Sequence, residues 1–243
     1  MYIVNKDLLN ALEKNIYSIL LKEIKLNHSL SITEAATICN CSPSKISKFV
    51  QKLGFSTYKE YLGFISGKAS TVLLDENERL TKFLADFKPE IAFQFAEYLR
   101  KFDKIILFGY GPSFIAGQYF EYKLRNLLDI PIWSVAHEAS INDLIGTNNL
   151  VIIFSTTGQF KSFKELYENI ISKNSKAAFL LEEGRTDFLE TYDYIITLSN
   201  YLQNPKLLPH EKTRTTFFAF IEAVIKQLET SATENYSKHR KKL

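Results

Sequence analysis

The sequence predicts an all-α N-terminal segment followed by an α/β segment built on a five-stranded parallel sheet with helices on both faces. Three observations predict it. Up to about residue 66, apolar residues recur at three- and four-residue spacing, the period of a helix that buries one face. From about residue 85, short and nearly continuous apolar runs alternate with amphipathic stretches, as they do when parallel strands are covered on both sides. Charge divides at the same place: nine Lys/Arg against five Asp/Glu in residues 1–74, and twenty-one against twenty-two in residues 75–243. The boundaries that follow are 1–74 for a helical domain, 75–84 for a linker carrying the acidic patch Asp75-Glu76-Asn77-Glu78, and 85–243 for the sheet domain.

In the helical domain, Leu12, Ile16, Ile19, Leu20 and Ile24 mark a first helix. Ser31-Ile32-Thr33-Glu34 is a capping box that opens a short second helix packed through Ile32, Ala35, Ala36 and Ile38. After the turn Asn40-Cys41, Ser42 is the N-cap and Pro43 the first residue of a third helix, where its missing N–H costs nothing. Ile46, Phe49, Val50 and Leu53 form its buried stripe, and Gly54 ends it. Thr57-x-x-Glu60 caps a fourth helix through Tyr61, Leu62 and Ile65. No strand is expected in this part.

In the sheet domain, strands are expected at Ile105–Phe108, Ile130–Val135, Leu150–Phe154, Ala177–Leu181 and Tyr194–Leu198, in the flavodoxin-like order 2-1-3-4-5. Helical stretches fall at about 138–146, 161–173 and 212–229. The basic end Lys238-His239-Arg240-Lys241-Lys242 reads as a solvated tail.

Composition bounds the function classes. Hydrophobic residues at 46% and charged residues at 23% are those of a chain that buries a core. No apolar run reaches the roughly 18 residues of a membrane span, and the first residues lack the pattern of a signal peptide. Cys39 and Cys41 stand too close for an ordinary disulfide and have no second Cys/His pair to make a zinc site, which favours the reducing cytoplasm. No metal and no cofactor are expected.

Two constellations carry chemistry. Two short helices joined by a tight turn are the arrangement that lays its second helix in the major groove of double-stranded DNA. Small polar residues near the start of that helix allow close approach to bases, and flanking cations meet phosphates. Ser44, Lys45, Ser47, Lys48 and Lys52 are the candidate contacts. The alternative is a helical interaction domain whose lysines only solvate its surface. Residues 31–62, SITEAATICNCSPSKISKFVQKLGFSTYKEYL, resemble the helix-turn-helix of the RpiR-type transcription regulators in helix register, polar turn and the Lys52-Leu53-Gly54-Phe55 exit.

In the sheet domain, Gly109-Tyr110-Gly111-Pro112-Ser113 follows the first strand, and Ser155-Thr156-Thr157-Gly158-Gln159 the third. With the strand order above, both loops meet at the switch point where open α/β sheets bind ligands, and two hydroxyl-rich helix N-termini there suit one phosphate. Ordinary strand-to-helix turns use the same residue types. A dinucleotide site fits poorly, since the third small residue would be Phe114 and the acid after the next strand would be Ser134.

The two loops resemble those of the sugar isomerase (SIS) domain, the second half of RpiR-type regulators. The resemblance implies a phosphosugar pocket lined by Gly109, Gly111, Ser113, Ser155, Thr157 and Gly158, with Glu211 near the sugar; Arg214 matches a family position, with Thr213 where the family has Ser. Gln159 and Phe160 stand where the family has an acid and a Thr. The expectation is a non-enzymatic regulator of carbohydrate metabolism, a homodimer or homotetramer, whose phosphosugar effector modulates operator affinity. The alternatives are a sugar-phosphate isomerase with a DNA-binding head, for which His137, Glu138, His210 and Glu211 are candidate bases, or a regulator whose ligand site has degenerated.

Overall fold

The computed structural model describes residues 1–67, 74–184, 189–208 and 210–240, with only the backbone given for 231–240. Its sheet has six strands rather than the five expected. These are β1 (Tyr2–Asn5), β2 (Lys104–Gly109), β3 (Ile132–Val135), β4 (Asn149–Ser155), β5 (Lys176–Glu183) and β6 (Tyr194–Ser199), in the order β1-β6-β5-β4-β2-β3. The five expected strands are parallel and follow the expected order. The sheet is nevertheless mixed, because β1 adds to its edge antiparallel to β6, with Tyr2 opposite Thr197 and Asn5 opposite Tyr194.

The extra strand corrects the reading of the first 66 residues as wholly helical. Four residues are too few to display a period, and Tyr2-Ile3-Val4 becomes a strand because an unpaired β6 edge offers it a ladder. Its alternation also ties the two halves together. Tyr2 stacks on Phe55 at 4.1 Å between ring centroids, while Ile3 joins the apolar cluster on the opposite face.

The helices are α1 (Ala11–Leu26), α2 (Ile32–Ile38), α3 (Pro43–Lys52), α4 (Tyr58–Ile65), α5 (Glu76–Ala85), α6 (Pro89–Leu99), α7 (Pro112–Leu124), α8 (Glu138–Leu144), α9 (Phe163–Ser172) and α10 (Thr215–Arg240). The expected caps form. Ser31 and Glu34 make a reciprocal capping box, Ser42 Oγ accepts from Lys45 N at 3.2 Å, and Thr57 Oγ1 accepts from Glu60 N at 3.1 Å. The stripe of α1 is rotated from the one expected. Tyr17 and Leu21 are buried with Ile16, Leu20 and Ile24, whereas Leu12 is exposed.

Most of the stretch expected as a linker, residues 75–84, is helical, with Asp75 as the N-cap of α5. The basic end expected as a solvated tail continues α10 as far as Arg240.

Side chains of the central strands alternate between two cores, which is why their sequences read as unbroken apolar runs. Leu150, Ile152 and Phe154 face the cluster built with α6, α7 and α10; Val151 and Ile153 face the other. That second cluster is continuous from the sheet into α1–α4 and includes Ile46, Phe49, Phe55, Phe64, Phe179, Tyr192 and Ile195. The described residues between β5 and β6 contain no helix, and the N-terminal helices cover the sheet there. Tyr17 donates its hydroxyl to the Leu189 carbonyl at 2.7 Å, and Lys25 pairs with Glu190 at 2.9 Å. The helical head is therefore packed on the sheet through apolar side chains.

Candidate functional site

The first candidate surface is the outer face of α3. Ile46, Phe49 and Val50 lie in the core, which turns the polar residues outward. Ser44, Lys48, Gln51 and Lys52 are exposed, and Ser47 and Lys45 are half-buried. The face is open to solvent, but its cations are not equivalent. Glu13 of α1, only 6% exposed, accepts from Lys45 Nζ at 2.9 Å and from Lys52 Nζ at 2.7 Å. Lys48 has no ion-pair partner among the described residues.

Burial alone raises the Glu13 carboxyl pKa. The hydrogen bonds from Lys52, Lys45 and the Asn10 backbone outweigh it and bring the value down to about 2. Glu13 was absent from the sequence reading, although Asn10-x-x-Glu13 is a capping box that could have flagged it.

A depressed folded-state value stabilises the protein above the ordinary value of 4.5, and that contribution is lost as pH falls toward 2. Glu13→Gln should therefore flatten the loss of stability on acidification across this window. At pH 7 it should cost about 1–3 kcal/mol. Denaturant melts of both proteins between pH 2 and 7 measure the two effects.

The second candidate surface is a cleft of about 520 Å³ at the C-terminal ends of β2 and β4. Its geometry starts with two glycines. A Cβ on Gly109 would stand 2.9 Å from the Ser113 backbone and Cβ, so only glycine lets α7 start this close to β2. Gly111 takes φ +53°, which turns the chain into Pro112 at the first position of α7. The next two amides of that helix are engaged. Ser113 N donates to the Tyr110 carbonyl and Phe114 N to Gly111.

The second loop departs from the expected pair of helix N-termini. Ser155 Oγ accepts from Gly158 N at 2.9 Å and closes a local turn, and α9 begins only at Phe163. Residues 156–162 are therefore loop, and Thr156, Thr157 and Phe160 of it line the cleft.

Of the expected ligand residues, Gly111, Ser113, Ser155 and Thr157 line the cleft. Gly109 and Gly158 shape the two loops from behind. Glu211 is exposed outside the lining, and its Oε2 accepts from Leu208 N at 2.7 Å, holding its own turn.

The remaining polar lining comes from residues not among the expected ligand contacts: His210, Lys212 and Arg214. Arg214 donates to Ser113 Oγ at 2.9 Å and to the Lys212 and Thr213 carbonyls, and Lys212 pairs with Glu183 at 2.9 Å. Burial lowers the Arg214 pKa, and the nearby carboxylates of Glu182 and Glu183 oppose the change. Thr156 Oγ1 is buried at the same place without a hydrogen-bond partner among the described residues.

Behind this wall, Arg79 of α5 is fully buried. It donates to Glu76, to Thr213 Oγ1 at 3.0 Å and to Glu182 Oε1 at 3.1 Å. Burial raises the Glu182 pKa to about 7 against the opposing effect of Arg79, Arg214 and the Thr216 hydroxyl.

The other wall is aromatic. Phe160 lies 4.8 Å from Tyr110 between centroids and remains half-exposed. Glu138 Oε1 accepts from both the Tyr110 hydroxyl and Ser162 Oγ at 2.5 Å, which fixes the two loops to each other. Glu138 thus serves as a clamp between the loops and does not line the cleft. Among the described residues no group of three or more His, Cys, Asp or Glu could hold a metal ion. No helix among them is long and apolar enough to cross a membrane.

No family model and no curated protein matches this chain. Solved structures do. The sugar isomerase domain of an RpiR transcription factor from Sphaerobacter thermophilus aligns with TM-score 0.53 at 13% identity, over 69% of this chain and 94% of that one. A hypothetical protein aligns with TM-score 0.53 at 13% identity, over 65% and 86%. The NanR protein of Vibrio vulnificus, solved with ManNAc-6P, gives TM-score 0.48 at 14% identity over 97% and 91%. At such identities the first two likenesses concern the fold: the α/β part is built like a sugar isomerase domain.

Proposed function

We propose that the chain is a cytoplasmic, homo-oligomeric transcription regulator. In this reading α2 and α3 bind double-stranded DNA, and the cleft between β2 and β4 binds a phosphorylated sugar that alters operator affinity. The observation that carries the reading is the outer face of α3, which offers small polar and cationic side chains to solvent from a helix locked by a fully buried opposite face. The sequence resemblance to RpiR-type regulators agrees with it. For the ligand, support comes from Lys212, Arg214 and Ser113 facing hydroxyls of the second loop at the switch point of the sheet.

A thermal-shift panel tests the ligand half. A sugar phosphate at a hundred times its Kd should stabilise the protein by about 2.7 kcal/mol, a rise of several degrees, while the unphosphorylated sugar at the same concentration should not. Arg214→Met should remove the rise.

A catalytic reading is favoured by one observation, His210 on the cleft wall: of the four candidate bases His137, Glu138, His210 and Glu211, it is the one among the described lining residues. Turnover of an aldose or ketose phosphate that is lost in His210→Gln would decide for an isomerase. Ligand binding without turnover keeps the regulator reading.

A further inference from the structure

The departure at Phe160 gives the cleft a character that hydroxyl-rich loops alone would not have. A half-exposed phenyl ring in a ligand-sized cleft is an apolar surface that water covers poorly. It stands against Tyr110, whose own hydroxyl is held by Glu138, so the Tyr110 ring cannot swing away. Phe163 lies behind both rings, parallel to Tyr110 within 3° and 5.2 Å from Phe160. The Tyr110 ring is therefore held in place before any ligand arrives. Facing it are the cations Lys212 and Arg214, with the Ser113 hydroxyl already oriented by Arg214.

We propose that the cleft selects a ring-closed hexose phosphate, with the apolar face of the pyranose on Phe160, beside the Tyr110 ring tilted 48° from it, and its phosphate toward Lys212 and Arg214. The proposal rests on the phosphosugar reading above and makes Phe160 its specificity-determining residue. A pyranose chair presents a flat array of C–H groups, and the electron-rich face of an aromatic ring attracts their partial positive charge. An open-chain polyol phosphate carries the same anion but no such face, and it must freeze its rotors to bind. Phe160 stands where the resemblance implies a Thr, and the phosphate is met from the side of Lys212 and Arg214, which line the cleft.

The test is calorimetric titration of the full chain with methyl hexopyranoside 6-phosphates of the gluco, galacto and manno series, which cannot open, with hexitol 6-phosphates, which cannot close, and with inorganic phosphate. At least one ring-locked compound should bind about tenfold or more tightly than its open-chain counterpart. In Phe160→Ala that ratio should fall toward one. Phe160→Leu, which keeps bulk without the aromatic face, should also lower it and guards against a folding artefact.

Equal affinity for ring and chain, a ratio unaffected by Phe160→Ala, or tighter binding of every ligand in that variant would overturn the proposal. So would phosphate binding with no ring-locked sugar bound, which would leave the anion cleft standing. If no phosphorylated compound binds at all, the phosphosugar reading fails and takes this proposal with it.

Discussion

Arg79→Met is expected to destabilise the protein by about 3–5 kcal/mol near neutral pH, the usual cost of breaking a buried ion pair from one side. Arg79 and Glu182 are both fully buried, and each already leaves one polar atom, Nη1 and Oε2, without a hydrogen-bond partner among the described residues. Removing the guanidinium strips Glu182 of its nearest cation and leaves the more distant Arg214 to offset burial.

The pH dependence follows from the sign of the Glu182 shift. Its folded-state value is raised from 4.5 to about 7, so the contribution it makes is present below 4.5 and is lost as pH rises through 7. In Arg79→Met the value should climb further, so the deficit should widen from pH 5 to pH 8.5. The double variant Arg79→Met/Glu182→Gln should recover much of the loss, because no uncompensated charge remains buried. Urea melts of the wild type, of Arg79→Met and Glu182→Gln singly, and of the double variant at three pH values measure this. A deficit independent of pH, or a double variant no better than the single, would assign the effect to lost packing instead.

Lys45→Ala/Lys48→Ala is expected to weaken DNA binding roughly thirtyfold or more and to reduce the slope of log affinity against log salt by about 2, one for each phosphate contact removed. The fold should survive. Lys48 has no described ionic partner, and without Lys45 the Glu13 carboxylate keeps Lys52 and the Asn10 backbone N–H. The expected cost in stability is about 1 kcal/mol. The two lysines should separate in single variants. Lys48→Ala should change affinity alone, whereas Lys45→Ala should change affinity and the acid limb of stability together, since it also releases half of the clamp on Glu13. Anisotropy titrations between 50 and 300 mM salt, with melts of the same samples, distinguish the two.

The central strands were legible because burial on both faces writes itself as a continuous apolar run, and the short helices because Ser31, Ser42 and Thr57 carry their caps in the sequence. β1 was hidden for the opposite reason: its identity as a strand comes from the β6 edge, a partner some 190 residues away. Asp75-Glu76-Asn77-Glu78 reads as a solvated linker, yet Asp75 caps α5, and acids in a first helical turn complement the helix dipole. The burial of Arg79 left no trace either, since an arginine three residues after a glutamate is the pattern of an ordinary surface pair.

At the site, the two loops follow strands and could be found by position. The polar wall of Lys212 and Arg214 lies about a hundred residues beyond the first loop, and only the packed sheet brings Arg214 to Ser113. Glu13 illustrates the same limit on the head: spacing along α3 gives no sign that the neighbouring α1 binds two of its lysines.

Regulation of this kind requires α3 to enter a DNA groove under control of the cleft. Selection of duplexes from a random pool by the full chain, followed by titration of the recovered sequence with and without saturating sugar phosphate, addresses both parts. The expected result is a recurrent near-palindromic sequence bound with a steep salt dependence, weakened in Lys45→Ala/Lys48→Ala and shifted several-fold by the ligand. A pool that yields no recurrent sequence, or an affinity the double variant leaves intact, would contradict it.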